Sequence, residues 1–136
     1  GNPAGGTWSG AGVTSAGIFT PANANIGTNV LTYTITAGVC SGSAQVTMTV
    51  NPVPTVNAGA NLTFCSSDGN FNITGALPAG GIWSGNGVTP AGVFNPADPS
   101  VQSTNVLTYT VNQNGCTAFS TTTVTVNQTP KVVQLK

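Results

Sequence analysis

The sequence predicts an all-β chain built from tandem antiparallel β-sandwich repeats, the first of which lacks its opening strands. Three observations carry this. The first is an internal duplication. Gly5-Gly6-Thr7-Trp8-Ser9-Gly10-Ala11-Gly12-Val13 returns as Gly80-Gly81-Ile82-Trp83-Ser84-Gly85-Asn86-Gly87-Val88, and Ala16-Gly17-Ile18-Phe19-Thr20-Pro21 returns as Ala91-Gly92-Val93-Phe94-Asn95-Pro96. The offset is about 75 residues, the signature of tandem domains. The second is period-two alternation of apolar and polar residues, with no window of apolar residues at i, i+3, i+4 and i+7. The third is close punctuation by 18 glycines and 9 prolines, which ends any candidate helix early and spaces short strands with turns.

Taken in order, the first copy opens with its Trp8 and Phe19 stretch, where glycines supply turns and a bulge that lets the indole fold inward. A hairpin follows. Leu31, Tyr33 and Ile35 alternate with Thr32 and Thr34, the turn falls at Thr36-Ala37-Gly38, and Val46, Met48 and Val50 mark the return strand. Asn51-Pro52-Val53-Pro54 is a linker that two alternate prolines hold extended. The second copy adds about 22 residues ahead of its Trp core, with short strands expected at 62–65 and 71–74. Strands at 81–84 and 92–95 carry Trp83 and Phe94. The hairpin recurs as Leu107, Tyr109 and Val111, the turn Asn112-Gln113-Asn114-Gly115, and a return strand with Val124 and Val126. Asn-Gly is the strongest short hairpin signal. Trp8, Phe19, Tyr33, Trp83, Phe94 and Tyr109 are the expected core residues.

The domain boundaries that follow are an incomplete repeat over 1–52, a complete repeat over 53–128 and a tail over 129–136. The chain begins inside a repeat, and the tail sits where a next repeat would start. Val132, Val133 and Leu135 of this tail form a short apolar strand between Lys131 and Lys136. It is read as the beginning of another repeat, or as a donor strand that completes the first domain of a neighbouring chain.

Charged residues make up 3% of the 136: Asp68, Asp98, Lys131 and Lys136. An average soluble domain has roughly 25%. The surface must therefore be Thr, Asn, Ser, Gln and Gly, with almost no long-range field. Residues 1–130 contain no Lys or Arg, which excludes nucleic acid as a partner. No apolar run is long enough for a membrane helix, so membrane insertion is excluded too. High Thr and Asn content with little Lys and Glu reads as extracellular or cell-surface.

There is no His, so the usual nucleophile–base pairs cannot form and no catalytic constellation is expected. A glycosidase pair from Asp68 and Asp98 is weighed against two solvated turn aspartates, and the turns are preferred. The first copy lacks both. Asp68 within Cys65-Ser66-Ser67-Asp68-Gly69-Asn70 has calcium-type oxygens without a calcium-loop spacing. No metal and no cofactor are expected. Trp8 and Trp83 serve either packing or sugar stacking, with packing preferred. Three glycosylation sequons begin at Asn61, Asn72 and Asn127, a weak signal in a chain so rich in Asn and Thr. Cys65 and Cys116 are expected to form an intradomain disulfide, and Cys40, equivalent to Cys116, is left unpaired or bonded to another chain. The other reading is three buried free thiols in a reducing compartment.

One family combines these features. Pro-x-x-x-Ala-Gly from Pro54 is followed by Cys65, Leu-Pro-Ala-Gly-Gly-x-Trp-Ser-Gly-x-Gly-Val from Leu77 and Gly-x-Phe-x-Pro from Gly92. Then come Leu-Thr-Tyr-Thr from Leu107, Gly115-Cys116 and Thr-Val-Thr-Val-Asn from Thr123. The order resembles the immunoglobulin-like tandem repeats of large Bacteroidota cell-surface adhesins, of which the SprB-type gliding-motility adhesins are examples. The resemblance spans essentially the whole chain. It implies immunoglobulin-like β-sandwich repeats, type IX secretion, a place on the cell surface, and an adhesive or filamentous role in gliding motility. It also departs from antibody domains: Tyr109 lies too far before Cys116 for a tyrosine corner. The function expected is a non-catalytic, stiff repeat segment of an adhesin or filament. Its expected partners are neighbouring repeats, copies of itself and surface glycans. The alternatives are a filament subunit joined head-to-tail by the 131–136 strand, or a carbohydrate-binding accessory module.

Overall fold

A computed structural model describes residues 1–132. Every regular element in it is a strand except one turn of 3₁₀ helix at Pro21–Asn23, so the described chain is all-β with several sheets. The chain divides into two compact units, Gly1–Pro52 and Val53–Lys136.

Unit 1 is a three-stranded antiparallel sheet in the order β1-β2-β3, formed by β1 (Thr7–Ser9), β2 (Gly27–Ala37) and β3 (Cys40–Val50). Trp8 lies opposite Tyr33, and the hairpin closes with Ala37 opposite Cys40. Only Gly38 and Val39 separate those two. Gly38 takes φ 64°, the glycine-first arrangement of a two-residue hairpin loop.

Unit 2 repeats this frame and adds to it. Its strands are β4 (Leu62–Cys65), β5 (Phe71–Asn72), β6 (Ile82–Ser84), β7 (Val93–Phe94), β8 (Thr104–Gln113) and β9 (Cys116–Asn127). The main sheet runs β4-β9-β8-β6, and β5 pairs with β7 in a second, two-stranded sheet. Trp83 lies opposite Tyr109, the register that Trp8 and Tyr33 have in unit 1. The turn between β8 and β9 is Asn114-Gly115, both with positive φ (52° and 81°), as a type I′ loop requires. β4 is the exception to the antiparallel pattern. It runs parallel to β9, with Leu62 opposite Val124 and Cys65 opposite Asn127.

Both sheets of unit 2 contribute to one core of Ala58, Trp83, Phe94, Leu107, Tyr109, Val111, Val124 and Val126. Val56, Leu62, Phe64 and Ile73 close it from the opening segment. Phe94, Leu107 and Val124 are completely buried. Two layers around one core is a sandwich arrangement.

Unit 1 departs from the expected core. Leu31 and Tyr33 are buried, but Trp8 and Phe19 are only half-buried. Along β3 no residue is buried, and Val46 and Met48 stand 43% and 37% exposed, against 0% for Val124 in unit 2. The alternation on β3 is present, but among the described residues nothing covers its apolar side as residues 56–64 cover β9.

Candidate functional site

The two units carry the same polar device. The Tyr109 hydroxyl accepts a hydrogen bond from the Gly81 amide (2.8 Å) and donates one to the Pro78 carbonyl (2.7 Å). In unit 1 the Tyr33 hydroxyl accepts from Gly6 (2.8 Å) and donates to Pro3 (2.6 Å). The ring of Tyr109 tilts against Trp83 with centroids 5.0 Å apart, and Tyr33 meets Trp8 at 5.1 Å. A Cβ at Gly81 would stand 2.4 Å from the Tyr109 ring and 2.7 Å from the Thr110 carbonyl, so only glycine fits there. A buried asparagine locks each hairpin start. Asn105 accepts from the Gln102 amide (2.9 Å) and donates to the Gln102 carbonyl (2.7 Å), while Asn29 does the same with Asn25. Sequence reasoning missed both devices. Their signal was in plain view: Pro-Ala-Gly-Gly precedes both tryptophans and Asn-Val-Leu-Thr-Tyr-Thr opens both hairpins.

The expected site residues separate when placed on this frame. Trp83 is 4% exposed, so its face is committed to packing and closed to a sugar. Asp68 closes its own turn by accepting from the Cys65 amide (2.7 Å). Asp98 accepts from the side chain (2.6 Å) and the amide (2.9 Å) of Ser100. These two hydrogen bonds, the side-chain one first, hold its carboxyl below the ordinary aspartate value. Ser100 in turn accepts from the Gly87 amide (3.1 Å). A shallow polar hollow of about 390 Å³ beside it is lined by Asn70, Thr89, Asn95, Asp98 and Ser100. Its one carboxylate is spent on the loop that forms it. Among the described residues no three His, Cys, Asp or Glu side chains gather as a metal site.

The Cys65–Cys116 disulfide is corrected by the strand order. Because β4 runs parallel to β9 and ends beside Asn127, Cys65 lies at one end of the sheet. Cys116 lies at the other, next to the hairpin turn and opposite Gln113. Eleven residues of strand correspond to roughly 35 Å, against the ~7 Å limit between bridged Cα atoms. Among the described residues no disulfide forms, and Cys40 and Cys65 are both exposed. An opening strand pairing antiparallel near the turn would have brought the two cysteines together; parallel pairing separates them.

Two surfaces remain. On the outer side of the unit 2 sheet, Ile82 (60% exposed) and Phe119 (69%) flank Thr110, where unit 1 has Thr7, Thr34 and Ser43. In unit 1, β3 ends its sheet with one edge unpaired among the described residues and with Val46 and Met48 exposed. Of the expected donor residues, Val132 is exposed, and Val133 and Leu135 lie outside the described residues. No helix among the described residues is long and apolar enough to cross a membrane. No protein-family model matches the chain, and no curated protein matches it.

Proposed function

We propose that the chain is a non-catalytic, immunoglobulin-like repeat segment of an extracellular bacterial surface adhesin or filament, acting as a stiff spacer with a self-associating or adhesive side. One observation carries this reading: the same strand frame, with the same Trp–Tyr register and the same hydroxyl latch, is built twice in a nearly uncharged chain. Repeating one frame serves reach and spacing. The motif resemblance to Bacteroidota adhesin repeats supports a surface location and export by type IX secretion. Contact with other surfaces falls to Ile82 and Phe119, the exposed apolar pair that unit 1 does not share.

Antibody against this chain should label intact cells that make it. Labelling that needs permeabilised cells would sink the surface reading. A filament joined by strand addition is the second reading, favoured by the unpaired edge of β3; deletion of residues 131–136 should then abolish assembly. The carbohydrate-module reading loses its main support with Trp83 buried, and its tryptophan emission should not respond to added glycans.

A further inference from the structure

We propose that unit 2 is a load-bearing clamp: its first and last strands, β4 and β9, hold tension along the chain in shear. The inference deepens the spacer reading and rests on it for the source of the load. The resistance itself belongs to the pairing of two strands within unit 2.

Tension enters unit 2 ahead of β4 and leaves it after β9. Because β4 runs parallel to β9, these two points lie at opposite ends of the pairing. Leu62 stands opposite Val124 at the entry end, and Cys65 opposite Asn127 at the exit end. A pull on both flanks therefore slides one strand along the other, and the hydrogen bonds between them resist together. The hairpin of β8 and β9 is built the other way. Its strands are antiparallel, so a pull on its two open ends parts one bond at a time. The same parallel pairing that separates Cys65 from Cys116 sets up the shear.

Further bonds lengthen the ladder beyond both ends of β4, which itself has four residues. At the entry end Asn61 accepts from the Thr123 amide (3.0 Å), and buried Thr122 donates to the Ala60 carbonyl (2.9 Å). At the exit end the Ser66 amide donates to the Asn127 carbonyl (2.8 Å), and the Thr129 amide donates to the Ser66 hydroxyl (3.0 Å). The Thr129 hydroxyl accepts from the Ser67 amide (3.1 Å) and donates to the Ser67 hydroxyl (2.7 Å). A pull arriving through Pro130 meets Thr129 first. Apolar packing opposes the same motion. Leu62 and Phe64 pack against the core, and the Phe64 ring lies 5.1 Å from that of Phe71 and 5.5 Å from that of Phe94. Sliding β4 by one residue would turn both side chains to the opposite face of the sheet, so register and burial hold the strand together with the hydrogen bonds.

The test stretches single molecules of the full chain in two directions, with Cys40, Cys65 and Cys116 replaced by serine so that handles attach only where intended. One form carries handles at Val53→Cys and Lys131→Cys, both exposed positions, and loads β4 against β9 in shear. The other carries them at Val53→Cys and Gln113→Cys, at the hairpin end, and peels β4 away from its entry end. The 53–131 pull should need about twofold more force or greater than the 53–113 pull at the same loading rate. Thr129→Val with Ser66→Ala removes the side-chain bonds at the exit end. It should lower the 53–131 force and leave the 53–113 force as it was, which also shows that the fold is intact. Equal forces in the two directions would overturn the clamp, and so would a 53–131 force indifferent to the Thr129 and Ser66 changes. Failed labelling of intact cells would remove the surface reading and leave these forces unaltered, so the two failures are told apart.

Discussion

Tyr109 ends in a hydroxyl with both of its hydrogen-bonding roles filled by backbone 28 and 31 residues away. Deleting that oxygen keeps the ring packed on Trp83 and strands a part-buried amide and carbonyl. Tyr109→Phe should therefore destabilise unit 2 by about 1–3 kcal/mol, measured by urea unfolding. Asn105→Ala should cost a similar amount, about 1–3 kcal/mol, because it leaves the Gln102 amide and carbonyl without their partner. Asp98 predicts a pH response. Its folded-state carboxyl sits below the ordinary value, so its contribution is complete above that value and is lost as pH falls through the lowered one. The melting temperature should drop on acidification below about pH 4. Asp98→Asn should flatten that part of the profile.

The strands were the most legible elements. Leu62–Cys65 and the paired hairpins follow directly from alternation bounded by glycine, proline and Asn-Gly. Direction was not legible. Nothing in Leu62-Thr63-Phe64-Cys65 says whether it pairs parallel or antiparallel, since side-chain alternation is the same in both. That single ambiguity produced the expected Cys65–Cys116 bond, and the parallel choice removes it. Adding a reductant should accordingly leave the unfolding midpoint of unit 2 unchanged, whereas loss of a real disulfide would cost about 2–5 kcal/mol. Burial on β3 was not legible for a related reason. Val46, Met48 and Val50 carry the pattern of a buried strand, but pattern describes what a face can bury and not whether anything lies against it. Of the candidate sites, the turn roles of Asp68 and Asp98 were readable from their Gly, Asn and Ser neighbours. The latch and the buried asparagines show in the sequence only as repeated motifs: the latch joins residues 28 and 31 positions apart, and nothing marks which of many asparagines turns back on the chain three or four residues before it.

At the scale of the molecule the two units are unequal. Unit 2 buries eight apolar residues in one core, whereas unit 1 buries Leu31 and Tyr33. A unit of this size sits near the lower limit for folding on its own core. Hydrogen exchange should therefore be faster across β2 and β3 than across β8 and β9, read by mass spectrometry of peptic fragments. Equal protection in both hairpins would mean that unit 1 is stabilised by something other than its own buried side chains.

The paired rings have an optical consequence. Each unit holds one tyrosine and one tryptophan, their centroids about 5 Å apart and tilted by 47° and 45°. At that separation light absorbed by the phenol is handed to the indole, so the folded chain should emit almost none of its own tyrosine fluorescence. Each unit thus carries a private donor–acceptor couple. Opening one of them would return a single tyrosine's emission while the other stays dark, so a spectrum taken during heating reports the two units one at a time.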